Sequence, residues 1–292
     1  MKNRRYIIII FLASFVLLAN QALWSSCAKD KFEDSIYDIV DPDLDELALW
    51  VRDSFVVPYN IEVLYRWEDM ETDMSHNLVP PTRSYVQRFL QMVKRCFFDT
   101  YIRLVGKDAM NPVFPKQLLL LGTKAFSSDG TATAGTADAG KKIELYGVDE
   151  YYFRWKSHDT IREYVHVMHH EFTHILNQQK AYQLAFKKIT PASYTVSWFN
   201  ESETSALNAG FVTPYAMAEP DEDFAETFST YVDHSETEWN SLLSRAPESG
   251  RNLIQKKVEI IRTYMDESWH IDMDALRALI QESIQNVATG NN

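Results

Sequence analysis

The chain contains few of the residues that mark specialised scaffolds. Its 292 residues include only 2 cysteines, 9 glycines and 10 prolines, which excludes a disulfide framework, a collagen-like repeat and a low-complexity chain. Basic residues are in the minority, with 29 Lys and Arg against 41 Asp and Glu. Because a net charge of −12 argues against binding to the nucleic-acid backbone, we expect no nucleic-acid partner. The 46% of hydrophobic residues are those of an ordinary globular protein.

The N-terminus has the pattern of a targeting segment. Three basic residues stand within the first five, an apolar run follows over 6–18, and Ser25 and Ser26 precede Cys27. This order is typical of a secretory signal, and the apolar run is shorter than the ~20 residues that a membrane-spanning helix needs. We therefore predict that residues 1–26 are a signal peptide.

Cys27 resembles the acylated cysteine of bacterial lipoproteins, although Trp24 replaces the leucine that is usual three residues earlier. The acidic tract that follows is similar to that of surface-exported lipoproteins of Bacteroidota. We expect an outer membrane lipoprotein that faces the cell surface, with a periplasmic or secreted protein as the alternative. Residues 27–43 then form a tether after the lipidated cysteine, and 44–292 form the folded domain.

The pattern of apolar residues predicts an α+β domain. A helix is expected over 82–104, with Cys96 buried on its apolar face. Two strands, 117–121 and 142–146, are expected to form a hairpin around a flexible loop over 127–140. Because the strands come first and the C-terminal half is largely helical, the order favours a small sheet followed by helices rather than alternating units.

The strongest chemical signal is an HExxH motif formed by His170, Glu171 and His174. It lies in 160–179, which we predict to be a helix because its first four residues match a capping box and its apolar residues share one face. Two histidines four residues apart can share one tetrahedral Zn²⁺. Glu171 can then take a proton from a water molecule on the metal. The motif predicts one Zn²⁺ per chain.

A zinc hydrolase needs a third protein ligand. Asn177 and Lys180 exclude the metzincin pattern, which requires Gly and His at these positions. Downstream, Glu222 and Glu226 stand one helical turn apart, so that Glu222 can bind the metal and Glu226 can hold the free ring N–H of a liganding histidine.

Three alternatives bear on this choice of ligands. Glu201 or Glu203 can be the third ligand, in a poor match to the thermolysin-type second helix. Glu222 can instead belong to a solvated acidic helix start after Pro220. His166 and His169, close to the motif, are expected to support the ligands or to pack on the surface rather than to bind the metal.

The segment 170–176, followed by Tyr215 and Glu222 seven residues apart, resembles the gluzincin-type zinc domain of anthrax lethal factor. The resemblance implies that Glu222 is the third ligand, that Glu226 supports the site and that Tyr215 assists the transition state. It covers about 170–228 and implies nothing about the substrate.

Segments 58–63 and 65–67 extend the resemblance to nearly the whole mature chain, which is similar to a family of zinc-binding metallopeptidase lipoproteins of Bacteroidota. This resemblance implies a zincin-like fold. Members are commonly encoded near SusCD-type uptake systems for glycans or peptides, so a SusCD-type complex is an expected partner. The expected substrate is a peptide or a protein, glycoproteins included.

Motif and resemblance together predict a zinc-dependent peptidase with Glu171 as general base and Tyr215 as a donor to the oxyanion. An alternative is a peptide- or glycan-binding lipoprotein that retains the fold without catalysis, since the chain has 7 Trp, 15 Tyr and 16 Phe. A structural zinc site is a third option, although such sites usually close all four positions with Cys or His.

The lipid anchor leads to a first test. We expect mass spectrometry of the mature N-terminus to show acyl chains on Cys27, because stable anchoring by an N-terminal lipid takes more than one chain. Cys27→Ser should release the protein from the membrane fraction, whereas Cys96→Ala should leave it there. An intact Met1, or an unmodified N-terminus at another residue, would contradict the assignment.

Overall fold

The computed structural model describes residues 44–66, 78–126, 132–133, 135–138 and 141–290. The chain divides into two compact units, Met1–Leu44 and Asp45–Asn292. Apart from Leu44, the first unit lies outside the described residues, and so do the predicted signal peptide, Cys27 and the tether. The fold below is that of the second unit.

Helices make up most of this unit, and they surround a small sheet. The helices are α1 (Glu46–Val51, continued by the π-helical turn Arg52–Val56 and by Val57–Tyr59), α2 (Arg83–Val93, continued by the π-helical turn Lys94–Phe98 and by Asp99–Val105), α3 (Lys107–Met110), α4 (Val148–Arg154), α5 (His158–Gln179), α6 (Leu184–Lys187), α7 (Glu203–Ala209), α8 (Pro220–Asp233), α9 (Glu236–Arg245), α10 (Glu248–Trp269) and α11 (Met273–Thr289). The strands are β1 (Glu62–Leu64), β2 (Gln117–Leu120), β3 (Ala125–Phe126), β4 (Ala132–Thr133), β5 (Gly135–Asp138) and β6 (Lys142–Leu145). The predicted α+β class is confirmed, as is the helix over 82–104.

The main sheet has the strand order β1-β2-β6-β5. The first three strands are parallel, with Leu118 opposite Val63 on one side and opposite Ile143 on the other, and β5 is antiparallel to β6. The predicted hairpin between 117–121 and 142–146 is therefore wrong. Continuous apolar residues are typical of a parallel strand that is covered on both faces, and Leu118, Leu119 and Leu120 are all buried.

The expectation of a flexible loop over 127–140 is also wrong in part. Two strands, β4 and β5, lie within it, and β5 forms the edge of the main sheet against helix α5. Gly135 explains the close approach, because a Cβ atom built there would lie 2.2 Å from Cγ1 of Val167. Gly135, one of the small residues that suggested a loop, is needed where strand and helix meet closely.

Helix α5 begins at His158, two residues before the predicted start. Its N-cap is Ser157, whose hydroxyl accepts a hydrogen bond from the backbone N–H of Thr160 at 3.3 Å. The predicted capping box at Thr160 is therefore wrong, and Glu163 accepts instead from Lys124 Nζ at 2.7 Å. Both serine and threonine cap helices well, so the sequence pattern alone does not separate the two starts.

An aromatic cluster fixes the buried side of α5. Phe172 packs edge-on against Phe97 and Tyr101, with ring centroids 5.1 Å apart in both pairs, and also contacts Phe114. The Tyr101 hydroxyl lies 2.9 Å from Nδ1 of His169. Rings packed in this way favour one orientation of the helix. The two histidines of the motif, His170 and His174, therefore lie on the opposite face of α5 from Phe172.

Cys96 lies in the same core, on the π-helical turn of α2, and is completely buried. Burial raises the pKa of the Cys96 thiol to about 12, as is typical of an unreactive structural cysteine. The prediction that Cys96 is a small buried apolar residue is thus confirmed. Within the described residues, none of the helices combines the length and the apolar composition needed to span a membrane.

The contact between α7 and α10 provides a test of the packing. Alanine in place of a helical glycine is normally favourable by ~1 kcal/mol, but a Cβ at Gly250 would lie 2.1 Å from the backbone oxygen of Leu207. We expect Gly250→Ala to destabilise the fold by about 1–3 kcal/mol, the usual effect of overpacking. Ser249→Ala, at an exposed position in the same turn, should stay within ~0.5 kcal/mol. Equal urea-unfolding midpoints for the two variants would contradict this packing.

Candidate metal centre

The site lies where α5 packs against α8. His170 Nε2 is 2.9 Å from Glu222 Oε2, and His174 Nε2 is 3.1 Å from His170 Nε2 and 3.4 Å from Glu222 Oε2. Two of these side chains come from one helix and the third from another, 52 residues along the chain from His170. Helix packing thus brings together the three residues that the sequence suggested as ligands.

The separation of these atoms fits a single zinc ion. Zinc binds nitrogen and carboxylate oxygen at about 2.0–2.2 Å, so two ligand atoms on one tetrahedral ion are about 3.3 Å apart. The three observed distances, 2.9, 3.1 and 3.4 Å, lie close to that value. Two imidazole nitrogens and one carboxylate oxygen are also the donor set of many catalytic zinc sites.

Glu226 lies behind the ligands, one turn further along α8, and is buried. Its Oε1 is 2.9 Å from His170 Nδ1, and its Oε2 accepts a hydrogen bond of 2.6 Å from the hydroxyl of Thr213. Burial favours the neutral ring of His170, but the nearby carboxylates of Glu222 and Glu226 outweigh it and raise the pKa of His170 to about 9. A metal that binds here must therefore displace a proton.

Glu171 and Tyr215 both lie close to His170. The side chain of Glu171 is buried, and its negative charge contributes to raising the pKa of both His170 and Tyr215. The ring of Tyr215 stacks on that of His170, with centroids 5.8 Å apart, and packs edge-on against Trp198. Burial, together with the charge and hydrogen bond of Glu222, raises the pKa of Tyr215 well above its ordinary value. The hydroxyl of Tyr215 therefore remains a proton donor.

Three consecutive acidic residues in the first turn of α8 each contact another part of the fold. Asp221 accepts a hydrogen bond from Tyr182, Glu222 faces the histidines, and Asp223 pairs with Lys257 at 2.7 Å. The Glu222 side chain is only 17% exposed. A solvated acidic helix start, the alternative for this segment, is therefore wrong.

The rival third ligands point elsewhere. Glu201 accepts a hydrogen bond from the hydroxyl of Ser205, and Glu203 pairs with Arg245 at 2.8 Å on the surface. Neither occurs in the groups of potential metal ligands that the described part of the chain contains. Glu222 is thus the acidic residue that the fold brings to the HExxH histidines.

The two neighbouring histidines take different positions. His166 lies between Glu226 and Asp233, while His169 is completely buried beside Tyr101. Burial lowers the pKa of His169 to about 3, so its ring is neutral. The sequence analysis missed Asp233 and also Thr213. Asp233 lies seven residues after Glu226 on the same helix face, a spacing that can identify it once α8 is known.

A cavity of about 260 Å³ adjoins the second histidine of the motif. It is lined by His174, Asn177, Gln178, Ala181, Tyr182, Leu184, Lys187 and Asp221. Lys187 and Asp221 form an ion pair at 2.9 Å on its wall. This volume is sufficient for one amino-acid side chain next to the metal ligands.

Comparisons with known proteins agree with this geometry. Residues 41–274 match the sequence model of a family described as "Putative zinc-binding metallo-peptidase". The chain belongs to this family. A crystal structure of a protein from Bacteroides caccae that is described in the same words superposes with a TM-score of 0.72 at 36% identity, covering 87% of this chain and 97% of the other. A search of curated proteins found no match.

Metal binding can be tested through the third ligand. We expect Glu222→Ala to weaken zinc retention by more than the ~10–100-fold that follows loss of a residue supporting a ligand, because it removes one of three protein ligands. Glu201→Ala, a glutamate bonded to Ser205 instead, should retain the metal. Zinc content after dialysis against a graded chelator measures both. Loss of metal in Glu201→Ala with retention in Glu222→Ala would contradict the ligand assignment.

Proposed function

We propose that this protein is a zinc-dependent peptidase whose metal is held by His170, His174 and Glu222, one ion per chain. The observation that carries the proposal is the convergence of two Nε2 atoms and one carboxylate oxygen within 3.4 Å, with Glu171 and Tyr215 alongside. The chemistry that zinc supplies when bound is Lewis acidity, which polarises a carbonyl group and lowers the pKa of water.

Glu171 is the general base in this proposal. It follows the ligand His170 on α5, so the aromatic packing that orients the ligands also orients its carboxylate. A carboxylate at this position takes the proton from the attacking water and delivers it to the amine that leaves. Glu171 thus first accepts the proton and then donates it.

Tyr215 is the proposed donor to the oxyanion. Because its pKa is raised, the hydroxyl carries its proton at neutral pH. In the present structure it interacts with Glu222, so donation to a substrate oxygen requires the hydroxyl to leave that carboxylate. Stacking on His170 and contact with Trp198 keep the ring in place during this exchange.

The cavity beside His174 supports a peptide or protein substrate, because it provides space for a side chain next to the scissile bond. Leu184, which lines it, is 70% exposed, so the wall offers apolar as well as polar contacts. We further propose that the protein acts as an outer membrane lipoprotein at the cell surface, anchored by Cys27 and working with a SusCD-type uptake complex. The leader pattern and the lipoprotein resemblance support that placement.

Replacement of the general base separates metal binding from chemistry. Glu171→Gln should retain zinc but cleave peptides ~10²–10⁴-fold more slowly, because the amide has nearly the same shape but cannot accept the proton. Tyr215→Phe should retain zinc and lose about 10²-fold, the lower end for a deleted oxyanion donor. Turnover of a peptide library at measured zinc occupancy checks both variants.

Two outcomes would contradict the peptidase. If Glu171→Gln cleaves as fast as wild type at equal zinc content, Glu171 is not the base. If wild type binds zinc and peptides but cleaves no member of a broad library, the non-catalytic binding protein becomes the better description.

A further inference from the structure

Behind the proposed ligands, α5 and α8 share a partly buried chain of contacts that zinc coordination itself does not require. His166 lies one turn before His170 on α5. Its Nε2 is 2.9 Å from Glu226 Oε1, and its Nδ1 is 2.6 Å from Asp233 Oδ2. Both carboxylates are almost completely buried. The chain therefore runs from Asp233 through His166 and Glu226 to His170.

The geometry decides what His166 does in this chain. Since each ring nitrogen faces a carboxylate oxygen, His166 donates a proton on both sides and holds Glu226 and Asp233 at once. The charge of the two carboxylates outweighs burial and keeps the pKa of His166 well above its ordinary value. The ligand atoms of His166, His170 and Glu226 also lie close together, but both ring nitrogens of His166 already face carboxylate oxygens.

The Glu226 carboxylate is fixed at both oxygens. Oε1 receives His166 and faces His170 Nδ1, while Oε2 receives the hydroxyl of Thr213. The hydroxyl of Thr213 also accepts a hydrogen bond from the backbone N–H of Ala216, in the short helix that carries Tyr215. Without His166, Oε1 would lose the donor that holds it in this orientation, and the contact with His170 would loosen.

We propose that His166, held by Asp233, is a positioning residue that fixes Glu226 against His170 and thereby sets the orientation of the metal-binding imidazole. The inference rests on the proposed zinc site, but it concerns the support of that site rather than the reaction. Partners that orient a metal-bound histidine typically contribute 10–100-fold to metal affinity. Since His166 acts through Glu226, we expect the lower end of this range.

The test compares two histidines of the same helix. In the purified protein, His166→Gln should weaken zinc affinity about tenfold and change the visible absorption spectrum of the cobalt-substituted protein, which reports ligand geometry. His169→Gln is the control on the same helix, because His169 contacts Tyr101 rather than Glu226 and is more completely buried than His166. It should lower thermal stability and leave zinc affinity and the cobalt spectrum unchanged.

A second variant covers the case in which His166→Gln does not fold. Asp233→Asn keeps the size of the side chain but removes the charge that holds His166, and should shift zinc affinity in the same direction by a smaller factor. Equal affinities and spectra in wild type and in either folded variant would overturn the inference while leaving the zinc site intact. Absence of zinc binding in wild type would overturn the metal site and this inference together.

Discussion

The packing of α5 against α8 is the contact on which the site depends. Each helix contributes fully buried aromatic residues, among them Phe172 on α5 and Phe224 and Phe228 on α8. Phe172 packs against Phe97 and Tyr101, and Phe224 packs against Tyr182 and Phe186, so other parts of the core hold each helix in place. Burial of one such side chain contributes about 1.5–3 kcal/mol, and this packing keeps the polar faces of the two helices together. Those faces are of complementary type, with imidazoles on α5 and carboxylates on α8.

Charge pairing makes this arrangement tolerable in a buried region. An isolated buried carboxylate is costly, and a pair is stable only when its hydrogen bonds are satisfied. Glu226 and Asp233 share His166. Asp223 is compensated by Lys257, yet burial still raises the pKa of Asp223 to about 6. The acidic side chains of α8 therefore do not act as a solvated cluster, and each contributes to fixing the helix.

Local patterns in the sequence were sufficient to predict the helix that carries the HExxH motif, the buried face of α2 and the proximity of Glu222 to the two histidines. The spacing of His170 and His174 places both rings on one face of α5, and the spacing of Glu222 and Glu226 places both carboxylates on one face of α8. The parallel pairing of β2 with β6 was not predicted, because the residues between the two strands resemble a loop. The N-cap of α5 was not predicted either, because the choice of Ser157 over Thr160 depends on local geometry. The role of His166 depends on Asp233, 67 residues away. Contacts of that kind arise from packing and leave no periodic signal.

The contacts of Asp221, Glu222 and Asp223 at the start of α8 affect how the protein would bind and release a metal ion. Ordering a free glutamate side chain costs up to about 1.5–2 kcal/mol in rotamer entropy, but the turn that carries Glu222 is already held on both sides by Tyr182 and Lys257. A metal ion that binds there would meet a framework that is already ordered, so little of its binding free energy would be spent on ordering Glu222. Binding of an ion there would still stabilise the folded domain by mass action, but the contacts of Tyr182 and Lys257 hold the turn without it.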